Sequence, residues 1–280
     1  MRILLCVSNF PYTTSTVEFG KLIINALQSK ATVMSVRSAS ESPQVGEAIL
    51  NNACKLLDLT SASKLIRYGI PAEQILEEIK NGDYDLVIMG AHDQPSFGEL
   101  FLGSVSRRIV DQAPISVLIV RQPSSNLDKI LVPIAGRKAS NPTVQMSARL
   151  AKAFNAKVTL LHVVSTIPSM YSGMDRLDEN LSELLQTDSR IACNIRGFAT
   201  MLRSVGIDAH IELRHGTPID EILRALEKDN YALMVIGSSR YSRINRLFTD
   251  EIALQVVDHA FCPVLVQKEL ISISPQDKAG

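Results

Sequence analysis

The chain repeats itself, and the repeat changes offset part-way along. The stretch 3-ILLCVS-8 returns as 130-ILVPIA-135, and 31-ATVMSVRS-38 returns as 158-VTLLHVVS-165, each 127 residues on. Further along, 67-RYGIPAEQILEEI-79 returns as 214-RHGTPIDEILRAL-226, 84-YDLVIMG-90 as 231-YALMVIG-237, and 111-DQAPISVLIV-120 as 258-DHAFCPVLVQ-267, each 147 residues on. A period this long is a whole domain, not a solenoid unit. The sequence therefore reads as a duplication with 20 extra residues in the second copy, between Ser165 and Arg214. That insertion region, about 165–207, is polar and Met-rich and carries a long helical pattern, roughly Asp175 to Arg203. The polar stretch 121-RQPSSNLDK-129 marks the boundary. Two domains are expected at 1–122 and 128–269, followed by a tail, 270–280, that ends in small and charged residues.

Each copy alternates two kinds of segment. Short continuous apolar runs (Ile3 to Val7, Thr32 to Val36, Leu86 to Met89, Val117 to Val120) are bounded by turn residues and read as strands buried on both faces. Between them lie helical patterns. In 17-VEFGKLIINAL-27 the apolar positions form a stripe, and 71-PAEQILEEIKNG-82 opens with Pro71 at the first helical position and closes at Gly82. The order β-α-β-α-β-α-β-α-β predicts, in each copy, a five-stranded, parallel, doubly wound α/β sheet with right-handed crossovers. Ligands on such sheets bind beyond the carboxyl ends of the strands, where the strand order reverses.

Charge and cysteine usage narrow the function classes. Lys+Arg and Asp+Glu are 29 each, so no overall field favours nucleic acid or an anionic membrane. No window reaches 18 apolar residues, and the opening MRILLCVSNF reads as a first strand rather than a signal peptide. Cys6, Cys54, Cys193 and Cys262 are far apart and form no CxxC, and Cys6 and Cys262 sit in apolar runs as small buried hydrophobes. Neither disulfide nor metal is expected, and a reducing cytoplasm fits.

Both copies share the first strand, a GxP turn (Gly69-Ile70-Pro71 and Gly216-Thr217-Pro218), a fourth strand ending in Gly, and the closing segments APISVLIV and AFCPVLVQ. In these features the chain resembles the universal stress proteins over nearly its whole length, twice. The resemblance implies a Rossmann-like (adenine nucleotide alpha hydrolase-like) fold in each half. It also implies a pseudo-dimer of the two halves, with residues 116–120 beside 263–267, since members pair along their last strands. Pairing would cover edges that are otherwise a liability.

Members that bind ATP show G-x2-G-x9-G-(S/T) after the fourth strand, and an Asp at the end of the first strand that contacts the ribose. The glycines let backbone N–H groups approach phosphates, and a helix N-terminus supplies positive potential. The first copy reads Gly90-x2-Asp93-x9-Gly103-Ser104, with Ser8 in place of the ribose Asp. A carboxylate at Asp93 repels phosphate, and its Cβ restricts the loop. The resemblance implies a cofactor, ATP or AMP, in the first copy, its adenine near Ser8 and Val36 and its phosphates over Gly90, Gly103, Ser104 and Ser106. His92 shares the loop with Asp93, and two readings stand for it: a phosphate or metal contact, or an exposed loop histidine. Arg107 and Arg108 are expected to be solvated. The second copy reads Gly237-x2-Arg240-x9-Asp250-Glu251, with Ala135 at the ribose position, and no nucleotide is expected there. Arg240, Arg243 and Arg246 read as a solvated, ion-paired face, with a small anion or partner patch as the alternative.

Walker, GxGxxG, GxSxG and HExxH fingerprints are absent, and no catalytic residue is assigned. His162 and His210 fall on predicted strands and read as core or edge residues. The first expectation is thus a stress-response protein with tandem universal stress protein domains, binding an adenine nucleotide weakly in domain 1 beside a degenerate domain 2. The alternatives are a protein-interaction scaffold working through the 165–207 insertion, itself readable as a plain packing element, and a slow ATP hydrolase. Neither nucleic acid nor membrane is expected as a partner; a further homodimer and a protein partner remain open.

Overall fold

The computed structural model describes residues 1–58, 62–91, 102–136, 140–164, 185–238 and 246–268. The first half runs β1 (Arg2–Cys6), α1 (Thr14–Ala26), β2 (Lys30–Arg37), α2 (Pro43–Leu57), β3 (Ser63–Tyr68), α3 (Pro71–Asn81), β4 (Leu86–Gly90), α4 (Ser104–Gln112) and β5 (Ser116–Val120). The second half repeats the order: β6 (Lys129–Pro133), α5 (Asn141–Phe154), β7 (Lys157–Val164), α6 (Arg190–Ser204), β8 (Ala209–His215), α7 (Pro218–Lys228), β9 (Leu233–Ser238), α8 (Arg246–His259) and β10 (Val264–Lys268).

Local chemistry sets these elements. α3 opens on Pro71, carries Glu73 in its first turn and Lys80 in its last, and stops where the Gly82 N–H reaches the Glu78 carbonyl at 2.8 Å. α7 repeats the device with Pro218, Asp220, Glu221 and Lys228. Both helices thus carry charges that complement their dipoles. The preceding glycines, Gly69 and Gly216, have φ of +134° and +147°, a region that any side chain makes strained. Their N–H groups donate to the carbonyls of Arg37 and Val164, at 3.0 and 3.1 Å, and so tie each turn to the tip of the neighbouring strand.

All ten strands form one sheet, in the order β3-β2-β1-β4-β5-β10-β9-β6-β7-β8. Within each half the pairing is parallel, in a doubly wound order that reverses beside the half's first strand. The halves meet through β5 and β10, which pair antiparallel with Val117 opposite Val266, Leu118 opposite Leu265 and Ile119 opposite Val264. The expected contact between the last strands is there, and it fuses two parallel five-stranded sheets into one. α1, α2, α5 and α6 cover one face; α3, α4, α7 and α8 cover the other. Each face carries a single apolar layer running through both halves, with Leu5, Phe19, Ile23 and Val132 in one and Met34, Val87, Ile109 and Val256 in the other. Each layer crosses the junction, where α1 packs on α5 and α4 on α8.

The structure narrows the insertion. β7 follows β2 at the offset of 127, but α6 follows α2 at 147, and the two helices have the same 15-residue length. The extra residues therefore lie between Val164 and Arg190, and α6 belongs to the repeat rather than to the region 165–207 taken as inserted. Residues 165–184 lie outside the described residues. The helical pattern read from Asp175 to Arg203 does not run unbroken either: Thr187, Asp188 and Ser189 leave the helix, and the Ser189 hydroxyl accepts a bond from the Ala192 N–H at 3.2 Å to start α6 afresh. Three short polar side chains in a row compete with the helical backbone bonds, which favours a cap over a continuous helix. α6 then buries Ala192, Ile195, Phe198, Ala199 and Leu202, so the packing reading holds for this helix.

Candidate functional site

In the first half the strand order reverses between β1 and β4, and the chains leaving those strands part to opposite faces. A cleft of about 540 Å³ opens there, over the carboxyl ends of β1, β2 and β4. Its floor is apolar, built by Met34, Val36, Ile75 and Met89, and its rim carries Ser8, Asn9, Arg37 and Glu41. Tyr12 and Ile70 stand at the mouth, unusually exposed for large apolar side chains at 49% and 58%.

Three of the residues expected at a ligand converge on this cleft: Ser8 just past β1, Val36 near the end of β2 and Gly90 at the end of β4. Gly103 and Ser104 open α4 close by, because the Gly103 N–H donates to the carbonyl of Ala91, next to Gly90, at 2.9 Å. Gly103 sits at the N-cap with φ −60° and ψ 151°, and as a glycine it brings no side chain to cap the helix. The first-turn N–H groups of such a helix have no acceptor within the helix itself. Ser106 departs from its expected place. It is 1% exposed, and its hydroxyl donates to the Gly90 carbonyl at 2.8 Å, so it ties α4 to β4 from inside the protein instead of facing a phosphate. His92 and Asp93 lie outside the described residues.

Arg107 and Arg108 are half exposed, as expected of solvated side chains, and each also forms an ion pair. Arg108 reaches Glu73 on α3 at 3.5 Å, with both side chains about half exposed. Arg107 forms an ion pair with Asp258 of α8, across the junction of the halves. Asp258 is buried, and its backbone carbonyl and that of Ala260 each accept from Nη1 of Arg121, at 2.9 Å. Burial pulls the Arg121 guanidinium below the ordinary arginine range, and Asp258 opposes that shift. The helix that opens at the cleft is thus braced by the second half.

The corresponding place in the second half is built differently. Ala135 stands for Ser8, and Gly136, with φ +64°, lies under α6: a Cβ there would come within 2.6 Å of the Ile191 side chain. The Asn194 side chain donates to the Gly136 carbonyl at 2.8 Å. Gly237 lies under Thr143 of α5, whose hydroxyl would sit 2.7 Å from an added Cβ. Arg240 and Arg243, and the side chains of Arg246, Asp250 and Glu251, lie outside the described residues. His162 is buried on β7 with Nδ1 2.9 Å from the Ile134 carbonyl, and His210 is exposed on the edge strand β8, as a core and an edge residue respectively.

Several cleft residues carry no signal of their own in the sequence, Arg37 among them. Arg37 ends β2 and is buried, yet it lines the cleft, with Nη1 donating to Asn9 Oδ1 at 3.0 Å and the rest of the guanidinium paired with Glu41. A basic residue after an apolar run reads as a solvated strand end. The available signal was its counterpart at offset 127, Val164, which shows that the fold itself does not require a charge there.

The sequence profile of the universal stress protein family matches residues 1–121 and again 126–268. A universal stress protein of Methanocaldococcus jannaschii is 29% identical over 151 residues, covering 54% of this chain and 88% of its own length. One from Synechocystis is 22% identical over 222 residues, covering 75% of this chain and 70% of its own. A solved universal stress protein of Archaeoglobus fulgidus shares the fold at a TM-score of 0.69 and 17% identity, over 95% of this chain and 98% of that one.

Proposed function

This chain belongs to the universal stress protein family and carries the family's domain twice, and from that premise we propose that its first half binds an adenine nucleotide, ATP or AMP, while the second half serves as its structural partner. The observation that carries the reading is the first-half cleft at the reversal of strand order, with the N-terminus of α4 opening at Gly103 beside Gly90. Base and ribose lie over Val36 and Ser8, and the phosphates meet Gly90, Gly103 and Ser104. A helix N-terminus supplies both N–H donors and positive potential for such a group. Binding is weak. A neutral serine hydroxyl contributes about 1 kcal/mol where a carboxylate contributes about 1.5–3 kcal/mol, roughly a tenfold loss. In the second half Ile191 and Thr143 press on the equivalent backbone, which supports an inert role for it.

We place the protein in the cytoplasm, a reading supported by four cysteines that form no disulfide; no helix among the described residues is long and apolar enough to cross a membrane. Calorimetric titration of ATP and AMP into the full chain tests the function. The expected result is one site per chain in the wild type, lost in Gly103→Asp, which sets a carboxylate at the start of α4 without backbone strain at φ −60°. No heat of binding in the wild type at millimolar nucleotide refutes the proposal.

A further inference from the structure

We propose that Arg37 makes this cleft selective for adenine nucleotides that carry a second phosphate on the ribose, at the 2′ or the 3′ hydroxyl. The inference rests on the nucleotide reading above and names the ligand class within it.

The cleft is bounded by β4, β1 and β2 in that order, and its two sides differ in chemistry. On the β4 side are Gly90 and the start of α4, which take the 5′-phosphates. On the β2 side is the guanidinium of Arg37. Two strand spacings separate the sides, about 10 Å, which a ribose bearing phosphates at both ends can bridge. At the β1 tip between them stands Ser8, so no carboxylate is there to hold the two ribose hydroxyls. An acid beside the ribose favours a free hydroxyl, whereas an arginine favours a phosphate on it; dinucleotide-binding α/β folds make their choice between cofactors in this way. Here the acid at the β1 tip is missing, and the arginine is present with Glu41 as its partner.

The setting of Arg37 argues against a purely structural role. Burying a guanidinium is costly, and an apolar residue at such a place is often as stable or more so. The second half takes that alternative, with Val164 at the same position of β7 and Gly136 in place of Asn9. Arg37 is instead kept and oriented: Asn9 holds Nη1, and Glu41 engages Nε and Nη2. Glu41 lies on the loop after β2, and its side chain is 38% exposed, so it can be released into water. A phosphate dianion offers the same fork geometry with more charge. Glu41 is therefore the placeholder that an arriving ribose phosphate displaces.

Calorimetry with three ligands, 5′-AMP, adenosine 2′,5′-bisphosphate and adenosine 3′,5′-bisphosphate, tests this on the full chain as wild type, Arg37→Gln and Glu41→Gln, with thermal melts as the control for folding. One bisphosphate is expected to bind about tenfold tighter than AMP, and which one identifies the hydroxyl. Arg37→Gln should abolish that preference, so that in this variant both bisphosphates bind no tighter than AMP, and Glu41→Gln should tighten the bisphosphate. A merely structural ion pair predicts instead that both variants weaken every ligand alike, which overturns the proposal. AMP binding without preference for either bisphosphate overturns it too, while leaving the nucleotide reading intact; no binding of any of the three removes both. If Arg37→Gln does not fold, the Glu41→Gln arm decides, and a weaker bisphosphate there sinks the idea.

Discussion

Asp258→Ala should cost the whole molecule about 2–4 kcal/mol, and most of that comes from one junction. The carboxylate is buried at 4% exposure on α8 and pairs with Arg107 of α4, while Arg121, itself 8% exposed, donates to the carbonyls of Asp258 and Ala260 from the other half. Removing one partner of a buried pair costs about 3–5 kcal/mol because a charge is left uncompensated. The Arg107 side chain is half exposed and can return to water, which discounts its share. Arg121 cannot, so the remaining cost is the loss of a counter-charge beside a buried guanidinium plus one charged hydrogen bond of about 1.5–3 kcal/mol. Arg107→Ala should cost less, about 1–2 kcal/mol, since Asp258 keeps Arg121 as a neighbour. The double variant should fall short of the sum by about 1 kcal/mol, because the residues share one network. Urea unfolding followed by circular dichroism measures all three, with unchanged slope as the sign that only stability moved. An Asp258→Ala midpoint indistinguishable from wild type, or strict additivity of the pair, would refute the reasoning.

Further outcomes follow from other places in the fold. Gly216→Ala should destabilise by about 1–3 kcal/mol and by more than Gly69→Ala, since both need positive φ but only at Gly216 does a Cβ come as near as 3.0 Å to a side chain, that of Glu221; paired thermal melts decide, and equal costs would mean that the crowding is relieved at no cost. Leu118→Ala and Leu265→Ala, opposite one another across β5 and β10 and each 1% exposed, should cost about 2–5 kcal/mol apiece; a loss below 1 kcal/mol in denaturant melts would argue that the two halves meet loosely. Burial pushes the Cys262 thiol from 9.0 up to about 12. Its folded value lies above its unfolded one, so the stability it contributes is complete below pH 9 and drains away as pH rises from 9 toward 12. Cys262→Ala should flatten the alkaline arm of the stability profile over that window. At neutral pH a thiol reagent should reach exposed Cys193 well before Cys262; equal rates would contradict the burial.

What the sequence made legible was what repeats. Two offsets, 127 and 147, disclosed two copies, and apolar runs such as Leu86 to Met89 announced strands because a parallel sheet buries both faces. Pro71 and Gly82 bracketed α3 because each acts through its own backbone. What stayed hidden depends on partners distant in the chain or on choices that propensity leaves open. The ion pair of Arg107 stayed hidden because Asp258 lies 151 residues away. Ser106 looked like a phosphate ligand because a hydroxyl shows its direction only once Gly90 lies beneath it. The helix over Asp175 to Arg203 looked continuous because apolar spacing persists through Thr187–Ser189, where side-chain capping overrides it. Arg37 was passed over because strand ends often carry charge, and only the folded chain brings Asn9 and Glu41 to it.

The antiparallel seam between β5 and β10 also changes how such a molecule can evolve. In a dimer of identical chains every substitution is made twice, once on each side of the axis, and a change that suits one side must be tolerated by the other. Here the two sides are written separately. Arg121 and Lys268 stand at matching positions 147 residues apart, both buried beside the seam, and need not be the same residue. One side can then lose its pocket while the other refines one, and dilution never parts them, because a single backbone holds both. The joint that closes the sheet is what allows two descendants of one domain to specialise without ever separating.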